Sequence, residues 1–250
     1  MSQIQMSPPL TKVVKYLIIA NVAIWVGLVL ILQRLILGNT VVFDYFALIP
    51  YRVFTEFWVW QLFTYMFLHS TGVFHVLFNM LTLWWFGSEL ESRWGQRFFL
   101  VYYLVCGVGA GIVYVAGMVA YYLITGQAMS MASPLVGASG ATYGILLAYG
   151  LLFGEREIYF MMLFPMKAKY FVMIIGAVEM VTLLDSGTGS TVSNLAHLGG
   201  LVVGFLYLSL VARMRAKGAT GGPKRGRRLK LVVNNDRKDN SDQNGPKYWN

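Results

Sequence analysis

The sequence predicts an all-α membrane protein in which six transmembrane helices form one bundle. Of its 250 residues, 57% are hydrophobic and only 12% are charged, and the mean hydropathy is +0.58. A soluble domain averages about 25% charged residues. Six apolar runs divide the chain, and the basic residues are distributed unequally between the segments that join them. These observations favour an integral membrane protein over a soluble domain.

A transmembrane helix needs about 20 apolar residues, and this length defines the six predicted spans. They cover residues 16–37, 73–90, 98–123, 137–153, 169–184 and 193–213. The fourth and fifth spans are short, which is tolerable where other helices enclose them or the bilayer thins. The first span lacks a small-residue cleavage site at its end, so we expect a signal anchor that stays in the mature protein.

The segment Asn39–Thr71 is predicted to be a long interfacial loop between the first two helices. Its aromatic residues are mixed with polar ones such as Asp44, Arg52 and Glu56. This mixture is too polar to span the bilayer, and amphipathic rings settle at the headgroup level. We therefore expect a structured loop that lies against the membrane surface.

The basic residues predict that both termini lie in the cytoplasm. With six spans, one side of the membrane receives only Arg34 and Arg52. The other side receives Lys12, Lys15, Arg93, Arg97, Arg156, Lys167, Lys169 and every Lys and Arg from Arg213 onward. Lys and Arg accumulate in cytoplasmic loops, and an odd number of spans would scramble this separation.

Three segments follow from this topology: a cytoplasmic lead (1–16), a six-helix core (17–214) and a basic tail (215–250). The tail has too few apolar residues to fold alone. It either stays solvated and fixes the orientation, or contacts anionic lipid headgroups. The net charge of +9 is concentrated in the tail and in short loops, which favours a membrane surface over nucleic acid as its partner.

Three of the predicted helices carry polar residues in glycine-rich surroundings. His75 and Asn79 are four residues apart in the second span, so they share one helical face. Ser139 and Tyr143 have the same spacing in the fourth span, and His197 lies near the start of the sixth. Small residues let transmembrane backbones approach closely. The glycines assigned to this packing are Gly137, Gly140, Gly144, Gly200 and Gly204.

These side chains predict a serine nucleophile with a histidine base. The hydroxyl of Ser139 needs an adjacent base, which His197 can supply. Acyl transfer also develops an oxyanion, for which His75, Asn79 and the N–H of Ser139 are candidate donors. Tyr143 is expected to orient His197 by packing on its ring. Because no Asp or Glu lies near in sequence, we predict a Ser–His dyad.

Each of these residues also has a simpler interpretation. Serine in a helix often bonds its own backbone, Asn79 can join helices, and Cys106 is expected only to pack. Glu179, a carboxylate in the fifth span, either faces polar groups near the entry of a substrate or lies protonated against a neighbouring helix. We assign Glu179 no catalytic role.

At these residues the chain resembles the rhomboid family of intramembrane serine proteases. The matching motifs, within residues 17–214, are His75-x-x-x-Asn79, Gly87-x-x-x-Glu91-x-Arg93-x-Gly95, Gly137-x-Ser139-Gly140-x-x-Tyr143-Gly144 and Ala196-His197-x-x-Gly200-x-x-x-Gly204. The resemblance implies an endopeptidase that cleaves transmembrane segments near the non-cytoplasmic side, with Ser139 as nucleophile and His197 as base. It places the oxyanion site at His75 and Asn79.

The same resemblance implies structural roles for Glu91 and Arg93 and a location in a bacterial inner membrane. The expected partners are transmembrane protein substrates and membrane lipids, with no cofactor, metal or nucleic acid. Gln61 follows Trp60 where many members of the family carry arginine. This departure predicts a looser first loop or altered lipid contacts.

Other functions compete with this interpretation. A catalytically weak protein of the same fold would bind transmembrane clients, but Ser139 and His197 are both present. A transporter or channel would be supported by inverted repeats, and we find no such repeat in the sequence. His69, His75 and His197 could hold zinc, but zinc would leave Ser139 unexplained.

Overall fold

The computed structural model describes residues 8–160, 164–185 and 191–220, most of which are helical. The helices are α1 (Lys12–Ile24, continued in wider π-helical turns over Trp25–Leu37), α2 (Val41–Phe46), α3 (Pro50–Thr55), α4 (Gln61–Thr64), α5 (Val73–Thr82, continued in π-helical turns over Leu83–Gly87), α6 (Ser88–Trp94), α7 (Gln96–Thr125), α8 (Met129–Ala132), α9 (Ser139–Leu152), α10 (Ala168–Asp185) and α11 (Thr191–Thr220). The predicted basic tail lies almost entirely outside the described residues, as do the first seven residues of the lead.

Helices occupy the positions of all six predicted spans. Among the described residues, three helical segments are long and apolar enough to cross a membrane on their own, namely Lys12–Leu37, Gln96–Thr125 and Ser193–Lys217. Helix α9 is apolar but shorter. The described residues up to Ala212 form one compact unit.

The outer faces of the helices are apolar, as expected for a protein surrounded by lipid. On α5, Phe74 and Phe78 are 71% and 63% exposed. On α10, Met173 and Val181 are 66% and 64% exposed. Soluble monomers rarely expose contiguous apolar surface on this scale, so these faces support a membrane environment.

The long helix α7 contributes many of the core residues, and α9 packs against it. Buried tyrosines connect α7 with its neighbours through their hydroxyl groups. Tyr65 donates to the carbonyl of Gly107 at 2.6 Å, and Tyr102 donates to the carbonyl of Gly144 at 2.7 Å. Buried polar groups are costly unless they are hydrogen-bonded, so these bonds fix how α7 meets α9 and the turn that follows α4.

The predicted loop Asn39–Thr71 is well structured, because it contains α2, α3 and α4. Gln61 is fully buried, and its amide oxygen accepts a hydrogen bond from the N–H of Ile49 at 3.0 Å. Its amide nitrogen lies 3.2 Å from the carbonyl of Asp44 and 3.3 Å from that of Tyr45. Gln61 thus ties three backbone groups of the loop together, and the expected effect of its replacing arginine, a looser loop or altered lipid contacts, stays a prediction.

Glu91 joins the second predicted span to the start of the chain. Its carboxylate accepts the N–H groups of Val13 and Val14, each at 3.0 Å, and the hydroxyl of Thr11. The first N–H groups of a helix lack partners within it, and the helix dipole favours negative charge there. Glu91 thus caps α1 from another element, which agrees with the structural role implied by the resemblance.

The all-α prediction missed one element, a small antiparallel hairpin between α9 and α10. Its strands are β1 (Glu157–Phe160) and β2 (Phe164–Lys167), with Glu157 paired to Lys167. Hydrogen bonds from Lys167 and Lys169 hold the pKa of Glu155 down at about 2. These charged residues and the hairpin separate the fourth predicted span from the fifth.

Candidate active site

Ser139 is the first residue of α9, and the turn before it depends on Gly137. Gly137 has φ of +124°, a conformation that side-chain-bearing residues rarely adopt. A Cβ at this position would lie 2.8 Å from Nε2 of His75 and 3.7 Å from Oγ of Ser139. Gly137 was expected to pack helices together; instead it shapes the turn and leaves room for His75.

The other four glycines lie where α9 crosses α11. A Cβ on Gly200 would overlap the carbonyl oxygen of Gly140, and one on Gly204 would lie 3.4 Å from Cα of Gly144. At Gly200 the two backbones therefore touch directly, whereas the atom nearest to a Cβ on Gly204 would be the hydroxyl oxygen of Tyr102 on α7, at 2.6 Å. Small residues permit such close crossings of membrane helices, and this crossing brings the start of α9 beside the first half of α11.

The crossing places the predicted nucleophile and base in hydrogen-bond contact. Nε2 of His197 lies 2.9 Å from Oγ of Ser139. The ring of Tyr143 stacks on the ring of His197, with centroids 4.1 Å apart and planes 8° from parallel. The side chain of His197 is 15% exposed. A largely enclosed imidazole whose Nε2 contacts a serine hydroxyl is the arrangement in which histidine can act as a general base for a serine nucleophile.

The structure adds a carboxylate that the sequence analysis left out. Oε1 of Glu179, on α10, lies 2.9 Å from Nδ1 of His197 and also accepts a hydrogen bond from the hydroxyl of Tyr143. The sequence analysis assigned His197 no carboxylate partner, and the structure places one beside it. Glu179 contacts polar groups on both neighbouring helices. Separation in sequence hid this contact, since it depends on the rotation of α10 against α9.

His75 lies beside the turn that leads to Ser139, and the contacts of its Nδ1 atom define its tautomer. The N–H of Ser70 donates to Nδ1 of His75 at 3.3 Å, and Oγ of Ser70 lies 2.9 Å from the same atom. A neutral imidazole that accepts at Nδ1 carries its proton on Nε2. Because Nε2 faces the turn at Gly137, His75 presents an N–H donor next to Ser139. Ser70 was not singled out from the sequence.

Asn79 contacts α9 one turn beyond the predicted nucleophile. Its amide oxygen lies 3.4 Å from the hydroxyl of Thr142, while its amide nitrogen donates to the carbonyl of His75 at 2.9 Å. The hydroxyl of Thr142 also lies 3.1 Å from the carbonyl of Ser139. Asn79 therefore joins α5 to α9 in this structure, at a short distance along α9 from Ser139.

The three histidines do not form a metal site in the described part of the chain. His69 and His75 are neighbours, with ring centroids 5.1 Å apart. Among the described residues, no group of three or more His, Cys, Asp or Glu side chains is arranged to hold a metal ion.

Comparison with known proteins agrees with the sequence motifs. The family model described as "Rhomboid domain" matches residues 56–214. The chain is 33% identical to RHOMBOID-like protein 1 of Arabidopsis thaliana over 149 residues, 59% of this chain and 33% of that protein. It is 32% identical to rhomboid protease GluP of Bacillus subtilis over 171 residues, 67% of this chain and 27% of that protein.

A third relative is rhomboid protease GlpG of Salmonella paratyphi A. It is 28% identical to the chain over 174 residues, 68% of this chain and 55% of that protein. In each of the three pairs the match covers less than two thirds of the relative's own length. The region that the family model matches, residues 56–214, includes Ser139 and His197.

Proposed function

Because the chain belongs to the rhomboid family, we propose that it is a serine endopeptidase that cleaves transmembrane segments of membrane proteins near the non-cytoplasmic side. The observation that carries this proposal is the 2.9 Å contact between Oγ of Ser139 and Nε2 of His197. A serine hydroxyl is a weak nucleophile unless a base accepts its proton. Two relatives whose names call them rhomboid proteases support the same activity.

The reaction begins when Oγ of Ser139 attacks the carbonyl carbon of the scissile bond. Nε2 of His197 takes the hydroxyl proton, and the carbonyl oxygen becomes an oxyanion. The same proton then passes to the amide nitrogen as the C–N bond breaks, which leaves an ester on Ser139. Water attacks this ester after giving a proton to His197. The proton returns to Oγ of Ser139 as the carboxylic acid leaves.

Three donors are available to the oxyanion. The N–H of Ser139 is at a helix start, where backbone donors lack helical partners. The Nε2–H of His75 faces the same turn. Asn79 is the third donor, and its amide nitrogen must exchange its bond to the carbonyl of His75 for one to the substrate. Donors of this kind act where the charge develops in the transition state.

The proposed topology has six spans, both termini in the cytoplasm and a long interfacial first loop, in a bacterial inner membrane. The unequal distribution of Lys and Arg supports this orientation. Ser139, His75 and His197 then lie in the non-cytoplasmic half of the bilayer, where water can reach the ester. Residues 17–214 form the protease core in this proposal, between the lead and the basic tail.

The proposed substrates are single-span membrane proteins with a small residue before the cleaved bond. Gly137, Gly140 and Ala141 flank Ser139 in the sequence, and we expect the cleft around them to have little room for a large side chain. A helical backbone keeps its carbonyls hydrogen-bonded, so the bond must leave its own helix before it can be attacked. Residues that weaken a helix beyond the cut site should therefore favour cleavage.

Covalent labelling tests the proposed nucleophile. A fluorophosphonate should modify Ser139 of the reconstituted protein, and Ser139→Ala should lose this labelling without a change in thermal midpoint. Ser133→Ala is a matched control, since the hydroxyl of Ser133 bonds the carbonyl of Met129 within its own segment, and it should label like wild type. Labelling that persists in Ser139→Ala would contradict the assignment. A protein that binds transmembrane clients without labelling would indicate the catalytically weak alternative.

A further inference from the structure

Glu179, on α10, contacts both helices that carry the proposed nucleophile and base. Its Oε1 atom accepts a hydrogen bond from the hydroxyl of Tyr143 on α9 and lies 2.9 Å from Nδ1 of His197 on α11. The side chain of Glu179 is 12% exposed. An apolar surrounding penalises an ionisable group, so a carboxylate held here by two polar contacts is a candidate for function.

The two contacts on one carboxylate oxygen determine which ring nitrogen of His197 carries the proton. An ionised carboxylate only accepts hydrogen bonds, and one oxygen can accept two. With the hydroxyl of Tyr143 as one donor, Nδ1–H of His197 is the other. A neutral imidazole with its proton on Nδ1 has its lone pair on Nε2, the atom that faces Ser139. This tautomer can take a proton from the serine, and the other tautomer cannot.

We propose that Glu179 is a positioning residue for the cleavage reaction: its carboxylate selects the reactive tautomer of His197 and stays ionised beside the imidazolium that forms during each turnover. The inference rests on the proposed function. No proton moves to Glu179 in any step. The proton taken from Ser139 remains on Nε2 until it passes to the leaving nitrogen, and Glu179 keeps its negative charge throughout.

The charge of Glu179 matters because the imidazolium forms where water is scarce. Opposite charges interact more strongly in a low dielectric than in water. Among the described residues, the titratable and polar groups that face His197 are Ser139 and Tyr143 from α9, Glu179 from α10 and, further away, His75 from α5. Glu179 is the one carboxylate in this set, so it is the group that can balance the transient positive charge.

A purely structural role for Glu179 is the alternative, and substitutions can separate the two. Glu179→Gln keeps the shape but can donate from its amide to Nδ1, which favours the unreactive tautomer. Replacing the carboxylate by an amide in the Ser–His–Asp triad of other serine proteases lowers kcat by about 10⁴-fold. We expect Glu179→Gln to lower kcat by about 10²-fold or more with little change in KM, since the effect lies in the chemical step.

Two variants serve as controls for Glu179→Gln. Glu179→Asp keeps the charge on a shorter side chain and should recover part of the lost kcat. Thr182→Val alters the same helix one turn further on, where the hydroxyl bonds the carbonyl of Val178, and it should match wild type. If Glu179 only ties helices together, then Gln, which can keep one hydrogen bond, should perform as well as Asp or better.

Proton NMR of protein labelled with ¹⁵N-histidine tests the tautomer without any turnover. The chain has three histidines, so His197→Ala identifies the signal of His197. Wild type and Glu179→Asp should show a downfield Nδ1–H proton for His197, and Glu179→Gln should lose it. An Nε2–H tautomer in wild type would overturn the inference.

The failure of this inference can be told apart from failure of the proposed function. Wild-type cleavage together with wild-type kcat in Glu179→Gln would overturn the positioning role and leave the protease intact. A wild-type protein that neither labels nor cleaves would overturn the proposed function, while the NMR result would still decide the hydrogen bond. The measurements are kcat and KM on a single-span reporter in proteoliposomes, with thermal melting of each variant.

Discussion

At the scale of single residues, the candidate site depends on one position where only glycine fits. Two features exclude a side chain at Gly137. Its φ is +124°, and a Cβ would lie 2.8 Å from Nε2 of His75. Strained backbone at a functional site costs about 1–3 kcal/mol for a residue other than glycine. The displaced group would be His75, one of the proposed oxyanion donors.

We therefore expect Gly137→Ala to lower the free energy of unfolding by about 1–3 kcal/mol and to reduce the rate of fluorophosphonate labelling of Ser139 strongly. Gly126→Ala is the matched control, since Gly126 also has a positive φ of +72° but nothing lies within 4 Å of its Cβ position. Gly126→Ala should lower the free energy of unfolding but leave the labelling rate of Ser139 unchanged. Equal labelling rates in the two variants would show that the space around His75 is irrelevant to the chemistry.

Asn79 offers a second residue-scale prediction, because its observed contacts are structural and its proposed role is catalytic. Asn79→Ala should lower kcat by about 10²–10³-fold, the usual effect of removing one oxyanion donor. His197→Ala should remove nearly all turnover.

Thr142→Val separates the two roles of Asn79. It removes the hydroxyl that lies 3.4 Å from the amide oxygen of Asn79 but leaves the amide nitrogen free to donate. If Asn79 is an oxyanion donor, Thr142→Val should retain most of the activity. If Thr142→Val loses as much kcat as Asn79→Ala, the contact between α5 and α9 is what matters.

At the scale of elements, the site depends on the crossing of α9 and α11. A Cβ on Gly200 would overlap the carbonyl oxygen of Gly140, and backbone cannot move aside as a side chain can. Extra volume in a packed interior costs about 1–3 kcal/mol, and here it would also separate Ser139 from His197.

We expect Gly200→Ala to lower both the thermal midpoint and the labelling of Ser139. Gly27→Ala is the control, because Gly27 lies in a membrane helix with nothing within 4 Å of its Cβ position. The control should equal or exceed wild-type stability, since alanine has the higher helix propensity. A stable, fully labelled Gly200→Ala variant would show that the close crossing is not required.

The sequence was sufficient to predict where the helices lie and that the side chains of Ser139 and His197 are in contact. Long apolar runs leave few alternatives to helices, and glycines at matching depths indicate which helices approach. The hairpin at Glu157–Lys167 was missed because a short apolar run interrupted by Pro165 resembles a loop. The contact of Glu179 with His197 was missed. The spacing of residues shows which of them share one face of a helix, but it does not show which neighbouring helix that face meets.

At the scale of the whole molecule, the buried polar site lies inside a bundle whose outer faces are apolar. Exposed Phe and Met side chains cover the outside of α5 and α10. Inside the bundle, Asn79 of α5 contacts Thr142 of α9, and Glu179 of α10 contacts His197 of α11. A polar site enclosed in an apolar exterior fits chemistry performed inside the bilayer. In the proposed function, the substrate is a membrane segment that enters this site from the side.

Cleavage of a single-span reporter in proteoliposomes, with product masses read by mass spectrometry, tests this central claim most directly. The wild-type protein should cut at an Ala, Ser or Gly near the non-cytoplasmic end of the span, faster when Gly or Pro follows the bond, and Ser139→Ala should not cut at all. A rigid poly-Leu span should resist cleavage. Equal cutting of the poly-Leu span, cuts confined to cytoplasmic loops, or products from Ser139→Ala would contradict the account.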